Sequence, residues 1–416
     1  MEVLKRAWLV TCAFSCAALL ATPAWSAAHA HRQHARPHPA GKRAVLQDSD
    51  AEARLLAIYR LIAQAHSREA LAKSEALVRD HPNFQLAQLV YGDLLMLQTR
   101  PVRGIGDVPE LGARNGGRSI EELREESQLR IRALLERPPA GAIPSQFLQL
   151  SAQNKHAIAV DTSRARLYLF ENSPAGLRLV ADYYISVGKL GIDKNAEGDL
   201  RTPLGVYFVT SNLDPKTLKD FYGAGALPIN YPNPYDARRG KTGGGIWLHG
   251  SPPAQFARAP KATDGCVVLS NPDLQRIINT VEVRTTPVVI APSLTWVAPP
   301  AVQPQSKQFG EVLQAWRSAK VSGDPARILG FYSSDFNGYG KSLPEWTPVL
   351  KAELDRAHGR DIAMKDLSFL QWSDKTDTMV VTFGEVIAGE RTGPVKRQYW
   401  LRQGLKWKIF FEGVIG

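Results

Sequence analysis

Ala157-Ile158-Ala159-Val160, then Asp161-Thr162-Ser163-Arg164, then Arg166-Leu167-Tyr168-Leu169-Phe170 is the stretch that decides the fold. Two short apolar runs flank a polar four-residue turn, and the period of the pattern is two, so the unit reads as a β-hairpin. Strand-like runs continue beyond it at Val180 to Val187, Gly205 to Thr210, Gly245 to His249, Cys266 to Ser270 and Thr286 to Ala291, with Pro and Gly between them. Residues 150–293 are therefore expected to form a mainly-β domain, sandwich or barrel-like.

Upstream the period changes. Leu55, Ile58 and Ile62 follow a Ser49-x-x-Glu52 capping signature, a second helix runs from Ser67 through Leu71 and Val78 to His81-Pro82, and a third carries Phe84, Leu86, Leu89 and Leu94. A Gly-rich loop from Gly104 to Gly117 leads to a further capped helix, Ser119-x-x-Glu122 to Leu135, which Pro138-Pro139 ends. This region, 48–140, resembles tetratricopeptide-type helical hairpins over little more than one repeat. Such a unit covers a neighbouring domain or offers a surface to a protein partner. Downstream, 294–306 is Pro-rich and reads as a linker. Residues 307–416 combine an amphipathic helix (Val312, Leu313, Trp316), a second helix and strands near Thr378 to Val386, Lys396 to Leu401 and Lys406 to Glu412, an α+β domain. At 416 residues the chain is long enough for this multidomain organisation.

The first 28 residues carry Lys5 and Arg6, an apolar run from Ala7 to Ala21 and a small-residue stretch through Ala28, the layout of a cleaved signal peptide. Residues 29–47 hold four of the nine histidines among Arg, Pro and Ala, with no apolar periodicity, and read as a solvated linker rather than a metal site. The expected location is the periplasm or cell envelope. Removal of the signal takes Cys12 and Cys16 with it and leaves Cys266 as the one thiol, with no internal disulfide partner in an oxidising compartment. A formal charge of +11 suits an anionic wall or membrane surface, and export argues against nucleic acid as the partner.

A lone thiol is either inert core or chemistry, and its neighbourhood separates the two. His249 closes the run Gly243-Gly244-Gly245-Ile246-Trp247-Leu248, and Cys266 opens the run after Thr263-Asp264-Gly265. Strand ends beside glycines place side chains in clefts where a substrate backbone can approach. An imidazole with an ordinary pKa near ~6.5 suits the activation of a thiol, so Cys266 is read as nucleophile and His249 as general base and acid.

Ile246-Trp247-Leu248-His249-Gly250-Ser251 with Thr263-Asp264-Gly265-Cys266 resembles the active-site motif of the L,D-transpeptidase, or YkuD-like, family. Val187-Gly188-Lys189, Glu197-Gly198-Asp199, Arg201-Thr202-Pro203-x-Gly205 and Tyr231-Pro232-Asn233-Pro234 resemble further blocks of its exported wall enzymes. The resemblance spans about residues 156–291 and implies a peptidoglycan enzyme without metal or cofactor. Its substrates would be stem peptides: a tetrapeptide donor acylates Cys266, D-alanine leaves, and a diaminopimelate amine resolves the thioester into a 3-3 cross-link or attaches a protein. With water as acceptor the same site is an L,D-endopeptidase or carboxypeptidase, and a relic site would leave a wall-binding protein. The resemblance makes the backbone N–H groups of Gly265 and Cys266 candidate oxyanion donors and Gly250, Ser251, Thr263, Arg201 and Tyr231 candidate substrate contacts, with a cap or turn role as the other reading of Ser251 and Thr263. Asp264 stands where the family commonly has His, and Val268 where Arg or Asn is frequent. Asp264 is read as orienting His249, as pairing with Arg201, or as a loop residue. Asp214 to Gly244 is long enough to act as a lid or to pack as a surface loop, and its Arg238, Arg239 and Lys241 are candidate partners for stem carboxylates or solvated charges. The C-terminal region resembles the cone-shaped nuclear transport factor 2-like (SnoaL-like) fold. Its aromatics are expected in the core, with wall targeting or dimerisation as functional alternatives.

Overall fold

The apolar spacing of the helical region is realised as four helices in the computed structural model, which describes residues 50–107 and 119–415. These are α1 (Asp50–Ala63), α2 (Ser67–Asp80), α3 (Gln85–Met96) and α4 (Ile120–Leu135), packed so that α4 returns against α1. Ser119 caps α4 as its spacing predicts. Its hydroxyl accepts the Glu122 N–H at 3.1 Å, and the Glu122 carboxylate accepts the Ser119 N–H at 2.9 Å. The expected signal peptide, the histidine-bearing stretch, Ser49 and residues 108–118 of the Gly-rich loop lie outside the described residues.

The hairpin of β2 (His156–Asp161) and β3 (Arg166–Ser173) is preceded by a short strand β1 (Phe147–Gln149). In chain order follow β4 (Gly176–Tyr184), β5 (Gly205–Phe208), β6 (Ala226–Pro228), β7 (Trp247–His249), β8 (Val267–Val268), α5 (Asn271–Ile278) and β9 (Pro287–Ala291). They form a five-stranded sheet of order β4-β3-β2-β9-β5 and a three-stranded sheet of order β8-β7-β6. The strand expected over Cys266 to Ser270 shortens to two residues because Ser270 leaves the ladder to cap α5, accepting the Asp273 N–H.

Alternation along β2 sorts its side chains between two cores. Ile158 and Val160 face inward with Leu248 and Val267 of the smaller sheet, while Ala157 and Ala159 face the opposite side. On that side lies the C-terminal sheet, whose Leu370, Val380, Tyr399 and Leu401 pack directly against Phe170, Val206 and Val289. A strand buried on both faces carries no polar alternation, and hence Ala157 to Val160 is wholly apolar.

The C-terminal sheet runs β13-β12-β11-β10-β1, from β10 (Ile362–Ser373), β11 (Asp377–Ile387), β12 (Val395–Gln403) and β13 (Lys406–Ile415). Its other face is covered by α6 (Gln303–Val321) and α7 (Leu343–Ala357), with Trp316, Trp346 and Trp400 in the core, where sequence placed the aromatics. Two boundaries differ from the sequence reading. Phe147 and Gln149 pair with β10, so the chain adds a strand to the C-terminal sheet before entering the central one. The expected linker is structured: Trp296 and Val297 pair with Ile143 and Pro144, and α6 already begins at Gln303. Pro304 sits in the first turn of α6, where a missing N–H costs nothing.

The helical region is held to the central domain by buried charge. Glu52 of α1 accepts from Arg130 of α4 at 2.8 Å and from Arg166 of β3 at 2.7 Å, and Arg166 also pairs with Asp182 of β4. Arg130 and Arg166 are each 2 % exposed, and the Arg130 guanidinium lies 4.0 Å from the Tyr184 ring centroid. Removing Glu52 leaves two buried cations with one carboxylate each, Arg130 with Glu126 and Arg166 with Asp182. Glu52→Ala is expected to cost about 3–5 kcal/mol, read as a lowered midpoint in chemical or thermal unfolding; an unchanged midpoint contradicts the clamp.

Candidate active site

Parallel pairing of β7 with β8 sets Leu248 opposite Val267 and His249 opposite Val268. Paired residues of parallel strands project to the same side and successive residues alternate, so Leu248 and Val267 enter the core while His249, Val268 and the preceding Cys266 share the other face. The two residues singled out from sequence are thus set on one face of the strand pair by register.

The turn before β8 is built around Gly265. Its φ of +125° belongs to a region that side-chain-bearing residues rarely adopt, and a Cβ there would lie 2.7 Å from the Arg201 carbonyl. Thr202 donates its hydroxyl to the Gly265 carbonyl at 3.0 Å and accepts the Gly188 N–H at 2.9 Å, and the Lys189 N–H donates to the Thr263 carbonyl at 2.7 Å. The separate blocks around Val187, Arg201 and Cys266 are one interlocked scaffold. Thr202, unassigned from sequence beyond its motif, is its central hydrogen-bonding side chain.

His249 Nδ1 lies 2.8 Å from the Gly250 carbonyl. A carbonyl only accepts, so Nδ1 carries the hydrogen and Nε2 keeps a free lone pair, the tautomer a base requires. Phe221 and Tyr222 pack against the imidazole with ring centroids 5.8 and 5.1 Å away, and the Tyr222 carbonyl accepts the Gly250 N–H at 3.0 Å. Asn271 fastens this cover. Its Oδ1 accepts the Ala224 N–H and its Nδ2 donates to the Ser251 carbonyl, both at 2.9 Å, and Gly250 is required because a Cβ would meet Asn271 Oδ1 at 2.1 Å. The segment read as a lid or surface loop thus roofs His249 with aromatic rings.

Burial pushes the His249 pKa down to about 4, with nearby Arg258 lowering it further and the Gly250 carbonyl opposing. Burial likewise pushes the Cys266 thiol up to about 11, although the Trp247 N–H at the sulfur favours the thiolate. The thiol donates to the Gly245 carbonyl at 3.4 Å. Between about pH 4 and about pH 11 both the Cys266 thiol and the His249 imidazole are therefore neutral.

Other sequence candidates fall out differently. Asp264 neither orients His249 nor pairs with Arg201: it forms an exposed ion pair with Lys189 at 2.9 Å. The Gly265 N–H, expected at the oxyanion, is already donated to Thr263 Oγ1 at 3.1 Å, and Thr263 in turn donates to the Cys266 carbonyl at 2.7 Å. Ser251 is fully buried and donates to the Leu269 carbonyl, and the buried Tyr231 donates to the Thr242 carbonyl, so both hold backbone. Arg201 donates to the Ile192 carbonyl from the surface. Arg238 and Arg239 pair with Asp335 and Asp374 and so join the central domain to the C-terminal one, while Lys241 is buried on Asp193 within the central domain; none of the three stands free for substrate.

Sequence reasoning missed Arg258. It is 8 % exposed, its guanidinium lies 4.3 Å from the Phe221 ring centroid, and its Nε meets no partner. The preceding loop is braced by the α2–α3 turn, where Phe256 stacks on Phe84 at 4.2 Å and the Phe256 N–H donates to the Asn83 carbonyl at 3.0 Å. An isolated Arg between Ala257 and Ala259 carries no signal in sequence; its meaning comes from its burial.

Residues 155–290 match the family model of the L,D-transpeptidase catalytic domain, YkuD, and residues 308–413 match that of the Cds6 C-terminal NTF2-like domain. Among solved structures the chain is similar to Bd1075 of Bdellovibrio bacteriovorus, with 25% identity over 66% of this chain and 98% of that one and a TM-score of 0.56. It also resembles the helical cell shape determining protein Pgp2 of Campylobacter jejuni, at 23% identity over 65% and 95% of the two chains and a TM-score of 0.52. No curated protein matches the sequence.

The protonation states have a direct readout. Iodoacetamide is expected to alkylate Cys266 slowly at pH 7, with the rate rising about tenfold per pH unit toward pH 11. A plateau already reached at pH 7 would mean a preformed thiolate and contradict the neutral pair.

Proposed function

We propose, from the match of residues 155–290 to the L,D-transpeptidase catalytic domain and of residues 308–413 to the NTF2-like domain, that the chain is an exported peptidoglycan L,D-transpeptidase acting in the cell envelope. The observation that carries the reading is the placement of Cys266 and His249 on one face of a parallel strand pair, with His249 Nε2 left free by the Nδ1 contact to Gly250.

The thiol proton passes to His249 Nε2 while the sulfur attacks the carbonyl carbon of the diaminopimelate residue in a tetrapeptide stem. The tetrahedral oxyanion is assigned to the Cys266 N–H at the Gly265 turn, since the Gly265 N–H is engaged. Collapse breaks the amide bond, the imidazolium gives its proton to the departing D-alanine amine, and a thioester remains on Cys266. A side-chain amine of a second stem then attacks the thioester, losing a proton to His249, and the restored thiol completes a 3-3 cross-link. The aromatic roof of Phe221 and Tyr222 supports this order of events by limiting water around the base.

Incubation of the purified protein with defined tetrapeptide muropeptides and mass spectrometry of the products tests the reading. Cross-linked dimers with loss of D-alanine are expected, and Cys266→Ala is expected to reduce turnover by at least about 10³-fold. Stems shortened without dimers would assign water as the acceptor, and full turnover by Cys266→Ala would overturn the nucleophile.

A further inference from the structure

Arg258 poses an energetic problem that the chemistry above does not use. Among the described residues no carboxylate lies within ion-pair distance of its guanidinium, its Nε has no hydrogen-bond partner, and its one polar contact is a long 3.5 Å approach of Nη2 to the Phe221 carbonyl. Asp264, an anion of the same mouth, is held by Lys189. A buried cation without a counter-ion is costly, and cation–π contact with Phe221 offsets only a small part of that cost. A buried charge calls for a partner of opposite sign.

Position narrows the ligand. Phe221 lies between the Arg258 guanidinium and His249, packing on both. His249 must protonate the leaving amine, and in a peptide cut at its last bond the carbon bearing that amine also bears the terminal carboxylate. A guanidinium on the His249 side of the cleft is therefore a guanidinium on the side of the departing carboxylate. Its planar fork matches a carboxylate with two parallel N–H···O bonds. We propose that Arg258 is the specificity-determining residue that binds the free C-terminal carboxylate of the residue removed from the stem, restricting the donor to peptides cut at their last bond. The inference rests on the acyl-transfer reading for the identity of the leaving residue. It also accounts for the position of the helical region, because through Asn83 and Phe84 the α2–α3 turn braces the loop that presents Arg258.

The test compares a tetrapeptide stem with its C-terminal amide, in turnover and in calorimetric binding to the Cys266→Ala protein. The native enzyme is expected to favour the free acid by about 10- to 100-fold in kcat/KM, carried mainly by KM. Arg258→Gln is expected to bring the acid-to-amide ratio to within about threefold, and Arg258→Lys, which keeps charge but loses the fork, to fall between. A ratio unchanged in Arg258→Gln, or absent in the native protein, overturns the proposal. Because the ratio is internal to each variant, a general loss of stability does not mimic the effect; should Arg258→Gln fail to fold, the Arg258→Lys ratio decides. Preferential binding of the acid without turnover would sustain Arg258 and overturn the acyl-transfer reading instead.

Discussion

The site depends on one short constraint, the parallel pairing of Trp247–His249 with Val267–Val268. A slip of one residue would turn Cys266 into the core and Val267 out of it, because side chains alternate with period two. Register is secured from below by Leu248 and Val267, both fully buried against Ile158 and Val160, and from above by Ser270 and Asn271, which end the strand and tie it to the loop over His249. The motif spacing and the hydrophobic core are two expressions of the same register.

Around that pair the protein keeps its reactive groups neutral. A deeply buried imidazole and a thiol among backbone groups both resist charge. A thiol that is mostly protonated is also less exposed to oxidation, since the thiolate is the reactive form. Arg258 stands beside these groups as a buried cation with no ion-pair partner among the described residues, while Asp264 is held by Lys189.

Much of this was legible in the sequence where local pattern dominates. The four helices, the hairpin at Asp161 to Arg164 and the strands of the C-terminal sheet after residue 377 all follow from periodicity or capping residues, and the motif spacing sets Cys266 and His249 on one face. β10 was missed: Lys365, Asp366 and Gln371 interrupt its apolar alternation, and a bulge between Lys365 and Ser368 with Asp366 at φ +52° breaks the period. The strand contributed by Phe147 to Gln149, the structured run after Trp296, the cross-domain pairs of Arg238 and Arg239 and the isolation of Arg258 were illegible for another reason. Each depends on a partner more than ninety residues away or on the lack of one, and no local pattern encodes that.

Acyl transfer through Cys266 is tested most directly by peptide mapping, with mass spectrometry of the protein acid-quenched during turnover of a tetrapeptide stem. The expected result is an adduct of the stem lacking its terminal residue on Cys266, released by hydroxylamine as a thioester is. Turnover with no adduct on Cys266, or an adduct on any other residue, would contradict it.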